Sequence, residues 1–93
     1  MTNELTTFTV KVIGRVQGVG YRSWVKKKAN SFELQGWVIN SEDKSVSMEI
    51  SGKKKNVKMF LIECYKGPMF SKVLDVKAKE IIFKPFKDFQ IRY

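Results

Sequence analysis

The chain contains no histidine, one cysteine and two prolines in its 93 residues. Without imidazole, Ser-His-Asp catalysis, Cys-His catalysis and His-ligated metal centres are all excluded. A single cysteine cannot form an internal disulfide and, without histidine, makes a poor metal site, which fits a reducing cytoplasm. No apolar run approaches the length of a membrane span, and residues 1–7 lack the apolar core of a signal peptide. We therefore expect a cytoplasmic protein.

Arginine is scarce as well, although the chain is strongly basic. Only three of the 18 basic residues are arginines, and the formal net charge is +9. Two of the three, Arg15 and Arg22, lie in the nine residues Gly14–Arg22. Arginine suits bidentate binding of an oxyanion, whereas lysine supplies solvated charge that attracts anions diffusely.

The same nine residues hold three glycines between a predicted strand and a predicted helix. Glycines allow backbone N–H groups to converge on one point, and the start of a helix adds the positive end of its dipole. Together with Arg22, this arrangement predicts an oxyanion site, and phosphate is the ligand that fits it best.

The spacing of apolar residues predicts an element order of β-α-β-β-α-β followed by a short terminal strand. Alternating apolar residues predict strands and helical spacing predicts helices. The predicted strands cover residues 7–13, 34–40, 45–51, 73–83 and 86–91, and the predicted helices cover 21–32 and 57–65. In the fourth strand, the residues predicted to share one face are Leu74, Val76 and Ala78.

This order is that of the split β-α-β, ferredoxin-like α+β sandwich. We expect an antiparallel sheet of four to five strands with two helices on one face. The length allows one core, so residues 7–93 are predicted to form a single domain and residues 1–6 a flexible N-terminus. Cys64 is expected to be a buried small hydrophobe. The aromatic residues expected in or beside the core are Trp24, Trp37 and Phe60.

Two segments together resemble the signature of the acylphosphatase family. Gly14–Arg22 follows its pattern Gly-Arg-Val-Gln-Gly-Val-Gly-Phe/Tyr-Arg, and Gly36–Asn40 follows Gly-x-Val-x-Asn. The predicted element order also agrees, so the resemblance extends from about Thr7 to Tyr93. The chain departs from the family at Lys44, where glycine is frequent; lysine tolerates a positive φ less well, so the geometry of this turn is an open point.

The resemblance implies hydrolysis of the carboxyl–phosphate anhydride bond of small acyl phosphates. It implies no metal or organic cofactor, and it makes inorganic phosphate both a product and a competitor. Asn40 would place the attacking water, close to Arg22. A carboxylate leaving group needs little protonation, so the absence of histidine suits this reaction. The residues that would bind the phosphate are Arg15, Val16, Gln17, Gly18, Val19, Gly20, Tyr21 and Arg22.

Several alternatives stay open at the level of single residues. Arg15 either lines the entrance of the site or points to solvent. Asn40 could instead cap the turn that follows it, as asparagine often does. The glycine-rich stretch could be only a tight connection between strand and helix.

Two other functions compete with catalysis. RNA-recognition domains share this arrangement of helices and sheet, so a basic nucleic-acid-binding module without catalysis is the main alternative. In residues 45–51, serine and glutamate occupy the alternate positions at which such modules display aromatic residues. Nucleic acid therefore ranks below the acyl phosphate as the primary partner. A third hypothesis is that the chain is an acylphosphatase-like module of a larger hydrogenase maturation protein. Because no zinc-finger cysteines follow the last strand, we expect a free-standing enzyme, most simply a monomer.

Overall fold

The computed structural model describes residues 4–93, which contain two helices and five strands. The first strand begins at Leu5, two residues before its predicted start, and Leu5 pairs with Lys53. Residues 1–3 of the predicted flexible segment lie outside the described residues. No helix within 4–93 is long and apolar enough to cross a membrane. The elements are β1 (Leu5–Arg15), α1 (Tyr21–Ser31), β2 (Gln35–Asn40), β3 (Val46–Lys53), α2 (Lys54–Cys64), β4 (Lys72–Ile81) and β5 (Phe89–Ile91).

The five strands form one sheet in the order β4-β1-β3-β2-β5. The pairs β1–β4, β1–β3 and β2–β3 are antiparallel, as predicted, but β5 runs parallel to β2. The prediction of a wholly antiparallel sheet was therefore wrong at this edge. β4 and β5 occupy opposite edges, and β4 ends at the side of the sheet where β2 begins. Residues 82–88 cross that side, so the chain enters β5 in the direction of β2.

Both helices pack on the same face of the sheet, as predicted, because they contact each other as well as the strands. Phe60 and Cys64 of α2 are fully buried, which confirms their prediction, and Trp24 of α1 packs against the core from its margin. The ferredoxin-like α+β arrangement is thus confirmed. The strand residues of the core include Val10, Val12, Val38, Val46, Met48 and Ile50.

A bulge in β4 overturns the prediction that Leu74 shares a face with Val76 and Ala78. The register between β1 and β4 shifts immediately before Gly14, which pairs with Val73. One residue of β4 is thereby left over, and the side chains of a strand change face across such a bulge. As a result Val73 packs against the core, whereas Leu74 is 70% exposed. Val76 is buried, but Ala78 is exposed on this edge strand.

The turn between β2 and β3 places Lys44 in the left-handed region at a φ of 77°. This is the position at which the family often has glycine. The Lys44 N–H donates to the Ser41 carbonyl at 3.2 Å, and the Ser45 N–H donates to the Asp43 carboxylate at 3.0 Å. The Lys11 ammonium lies 2.6 Å from that carboxylate. The Lys11 ammonium, followed by the hydroxyl and the N–H of Ser45, holds the pKa of Asp43 well below its usual range.

Replacing Lys44 by glycine should stabilise the protein. A side chain in the left-handed region costs about 1–2 kcal/mol, and the greater freedom of glycine in the unfolded chain offsets part of the gain. We expect the free energy of unfolding to rise by about 1 kcal/mol in urea denaturation. Glu42→Gly, in the same turn but without a positive φ, is the control and should lower it. A Lys44→Gly protein no more stable than wild type contradicts this account.

Candidate active site

Residues 15–21, called the glycine loop below, connect β1 to α1 and are anchored in the core by their side chains. Val16 and Tyr21 are each 1% exposed, and Val19 packs against the core. The Tyr21 hydroxyl donates a hydrogen bond of 2.7 Å to the carbonyl oxygen of Cys64 in α2. Val16 and Tyr21 were both predicted to bind phosphate, and their buried side chains leave only their backbone N–H groups for that purpose.

The side chain of Gln17 ties the glycine loop to the turn between β2 and β3. Its Nε2 donates to the carbonyl oxygens of Ser41 at 2.8 Å and Ser45 at 2.9 Å. Ser41 directly follows Asn40, so this amide fixes the loop relative to the strand end that carries Asn40. Gln17 was predicted to bind phosphate, and because its side-chain donors are engaged in these bonds, its backbone N–H is the donor left for that purpose.

The N–H groups of residues 16–20 in the glycine loop have no carbonyl partners within residues 4–93, and its glycines adopt left-handed conformations. Gly18 and Gly20 adopt φ values of 75° and 79°, and the space where a Cβ would sit is open at both. In the part of the chain that the structure describes, no N–H of residues 16–20 makes a well-aligned hydrogen bond to a carbonyl. Gly20 also caps α1, whose first turn has no acidic residue. Unpaired N–H groups at the positive end of a helix favour an anion.

Arg22, in the first turn of α1, is held by the last two residues of the chain. Its Nη1 donates to the carbonyl oxygen of Arg92 at 2.8 Å, and its Cζ lies 4.7 Å from the ring centroid of Tyr93. Both partners are uncharged groups, so the guanidinium keeps its full charge for a ligand. The sequence does not reveal these partners, because nothing local to Arg92 or Tyr93 indicates that they meet α1.

The strand that precedes Arg92 and Tyr93, β5, also connects the surroundings of Arg22 with the end of β2, where Asn40 lies. In the parallel pair, Val38 lies opposite Ile91, and the Arg92 N–H donates to the Val38 carbonyl at 2.8 Å. Continuing this register brings Tyr93 beside Asn40, at the end of β2. The approach of the Arg22 and Asn40 side chains stays a prediction, which these contacts support.

Arg15 is exposed at the end of β1, opposite Lys72 in β4. The structure gives it no contact with Arg22 or with the end of β2. Its charge adds to that of Lys72 at this edge of the sheet, where both raise the local concentration of anions.

The groups beneath the glycine loop are uncharged at neutral pH. Burial raises the pKa of the Cys64 thiol to about 12. Burial, with the neighbouring Cys64, likewise raises the pKa of the Tyr21 hydroxyl far above its usual value. Neither group therefore cancels the positive field of the loop or supplies a nucleophile near pH 7.

Unpaired N–H groups in the glycine loop, followed by an arginine whose contacts are a carbonyl and an aromatic ring, are typical of a protein that binds an oxyanion. Comparison with known proteins narrows this class. The family model for acylphosphatase matches residues 8–91. The acylphosphatase of Clostridium acetobutylicum is 45% identical over 74 residues, covering 80% of this chain and 81% of that protein. The acylphosphatase of Bacillus licheniformis is 41% identical over 87 residues, covering 92% and 97%.

A solved structure agrees with these relatives. The crystal structure of acylphosphatase from Bacillus subtilis superposes with a TM-score of 0.92 at 34% identity, covering 97% of this chain and 100% of that one. The chain belongs to the acylphosphatase family. The resemblance seen in Gly14–Arg22 and Gly36–Asn40 is thereby confirmed.

Removing the ring of Tyr93 should weaken the site without unfolding the protein. A cation–π contact at an exposed position contributes about 0.5–1 kcal/mol, so Tyr93→Ala should weaken the binding of inorganic phosphate about two- to fivefold. Tyr93→Phe keeps the ring and should retain wild-type affinity. Phosphate titration followed by calorimetry measures both. Equal phosphate affinities of wild type and Tyr93→Ala would show that the Tyr93 ring does not help to hold Arg22.

Proposed function

We propose that this protein hydrolyses the carboxyl–phosphate anhydride bond of small acyl phosphates, acting as a cytoplasmic monomer without a metal or organic cofactor. The products are a carboxylate and inorganic phosphate. The observation that carries the proposal is the row of backbone N–H groups in residues 16–20 that have no carbonyl partner in the described part of the chain, followed directly by Arg22 in the first turn of α1. Membership of the acylphosphatase family supports the same reaction.

In this mechanism the phosphoryl oxygens accept hydrogen bonds from the glycine loop and from Arg22. Charge spreads over the three equatorial oxygens as the bond to the leaving group lengthens. Donors that are already oriented stabilise that charge at no cost in reorganisation during the reaction. The anchors of the loop, Val16, Gln17 and Tyr21, provide this orientation.

Asn40 orients the attacking water in the proposed mechanism. Its amide is no base at neutral pH, but the amide oxygen can accept a hydrogen bond from water and hold it in line with the scissile bond. The water oxygen forms the new bond to phosphorus while the carboxylate departs with the bonding electron pair. The water then loses its proton to solvent, so no histidine is required.

The nucleic-acid alternative gains little support from the sheet face that the helices leave open. Trp37 is on this face, but its ring already has the guanidinium of Arg92 at 4.8 Å from its centroid. The indole Nε1 donates to the Glu49 carboxylate at 3.3 Å. A stacked ring beside a carboxylate is a poor platform for a polyanion.

Arg22→Ala should abolish measurable catalysis, because it removes the charged donor nearest the phosphoryl group. Loss of one such transition-state contact lowers the rate by about 10²–10³-fold. The measurement is kcat/KM for benzoyl phosphate, together with the inhibition constant of inorganic phosphate, which should also weaken. Arg15→Ala removes the same charge at an exposed position and is the matched control, with an expected change of less than about threefold. Near wild-type kcat/KM in Arg22→Ala would refute the assignment.

Asn40→Ala should separate the chemical step from binding. The water loses its orientation, so kcat should fall about 10²-fold while the inhibition constant of phosphate stays near the wild-type value. Asn30→Ala, on the exposed side of α1, is a control that should change neither quantity. If Asn40→Ala loses phosphate affinity and keeps its kcat, the residue binds substrate instead of placing water.

A further inference from the structure

The segment between α2 and β4, residues 66–71, carries two adjacent apolar side chains that nothing in residues 4–93 covers. Met69 is 88% exposed and Phe70 is 73% exposed, and Leu74 at the β4 bulge is 70% exposed. Single exposed apolar residues are ordinary, but two large ones adjacent in the chain, Met69 and Phe70, favour a contact surface. The segment, called the apolar loop below, is braced internally: the N–H and hydroxyl of Ser71 both donate to the Pro68 carbonyl, at 3.0 and 2.7 Å.

The apolar loop contacts one end of the glycine loop and leads into the strand that pairs with the other end. At one end Gly67 lies against the ring of Tyr21, since a Cβ on Gly67 would come within 2.8 Å of the Tyr21 Cε2. At the other end Lys72, which directly follows the apolar loop, pairs with Arg15. Met69 and Phe70 therefore sit in a segment that spans from the end of the glycine loop to its beginning.

The order of the strands decides which part of a substrate would face the apolar loop. β1, which leads into the glycine loop, lies between β4 on one side and β3 and β2 on the other. Asn40 is at the end of β2, and the apolar loop is at the start of β4. In an in-line displacement, water and leaving group are on opposite sides of the phosphorus. Water placed from the β2 side sends the carboxylate toward β4.

We propose that Met69 and Phe70 form the subsite for the acyl group, and that the enzyme prefers acyl phosphates with an apolar or aryl group. This inference rests on the proposed function, because it takes the position of the water from Asn40. The two side chains touch no part of the phosphoryl group, so they determine specificity and have no role in the bond-breaking step.

The experiment compares two substrates that differ only in their acyl group, benzoyl phosphate and acetyl phosphate. The double variant Met69→Ser/Phe70→Ser should lose about tenfold in kcat/KM for benzoyl phosphate, a typical value for lost apolar contact. Its kcat/KM for acetyl phosphate should stay within about twofold of wild type. Ile82→Ser is the matched control, since Ile82 is equally exposed, at 88%, but lies beyond the far end of β4.

The conservative double variant Met69→Leu/Phe70→Leu should retain the wild-type ratio between the two substrates, and thermal unfolding should show the same midpoint for all variants. A parallel loss with both substrates would overturn the subsite, because the loop would then be acting on the phosphate site. Unchanged kinetics with both substrates would also overturn the subsite. Met69 and Phe70 would then be a contact surface for a second copy of the chain or for another protein. If the wild type hydrolyses neither substrate, the proposed function itself fails, an outcome distinct from these two.

Discussion

The glycine loop depends on the burial of the residues at its two ends. Val16 and Tyr21 are inserted in the core, and the Tyr21 hydroxyl is bound to the carbonyl of Cys64. Burial of one such side chain contributes about 1.5–3 kcal/mol, enough to hold the backbone between them in a conformation that leaves its N–H groups unpaired. Gly18 and Gly20 make this conformation accessible, because both lie in the left-handed region. The stability of the core thus maintains donors that are ready for an anion.

Arg22 is also held in place by the fold, through contacts that do not neutralise its charge. Its two contacts are a backbone carbonyl and an aromatic ring, neither of which carries a negative charge. A carboxylate in either place would bind the guanidinium more strongly and compete with a phosphoryl group. The contacts come from the residues that follow β5, so the parallel pairing of β5 with β2 connects the last residues of the chain to the site.

The parts of the structure that the sequence predicts are those with local causes. Gly14–Arg22 is recognisable because its glycines and arginines are adjacent in the chain, and the apolar periodicity yields both helices and the first four strands. The contact between Arg22 and Arg92 joins residues 70 positions apart, and no local pattern encodes it. The bulge at Leu74 also escapes prediction, because it arises from the pairing of β4 with Gly14. The apolar residues of the glycine loop follow no helical or strand periodicity, so the sequence does not indicate which of its side chains face the core.

Lys44 shows how the site tolerates a departure from the family pattern. Its left-handed φ is a strained conformation for lysine, and such a residue persists only where its surroundings determine the backbone. Here the determining contacts lie on either side of it: Gln17 donates to the carbonyls of Ser41 and Ser45, and the Asp43 carboxylate binds the Ser45 N–H. Because Gln17 contacts the backbone before and after Lys44 and never its side chain, the position of the glycine loop does not depend on which residue occupies the turn. The strain at Lys44 therefore reduces stability while leaving the geometry around Asn40 unchanged.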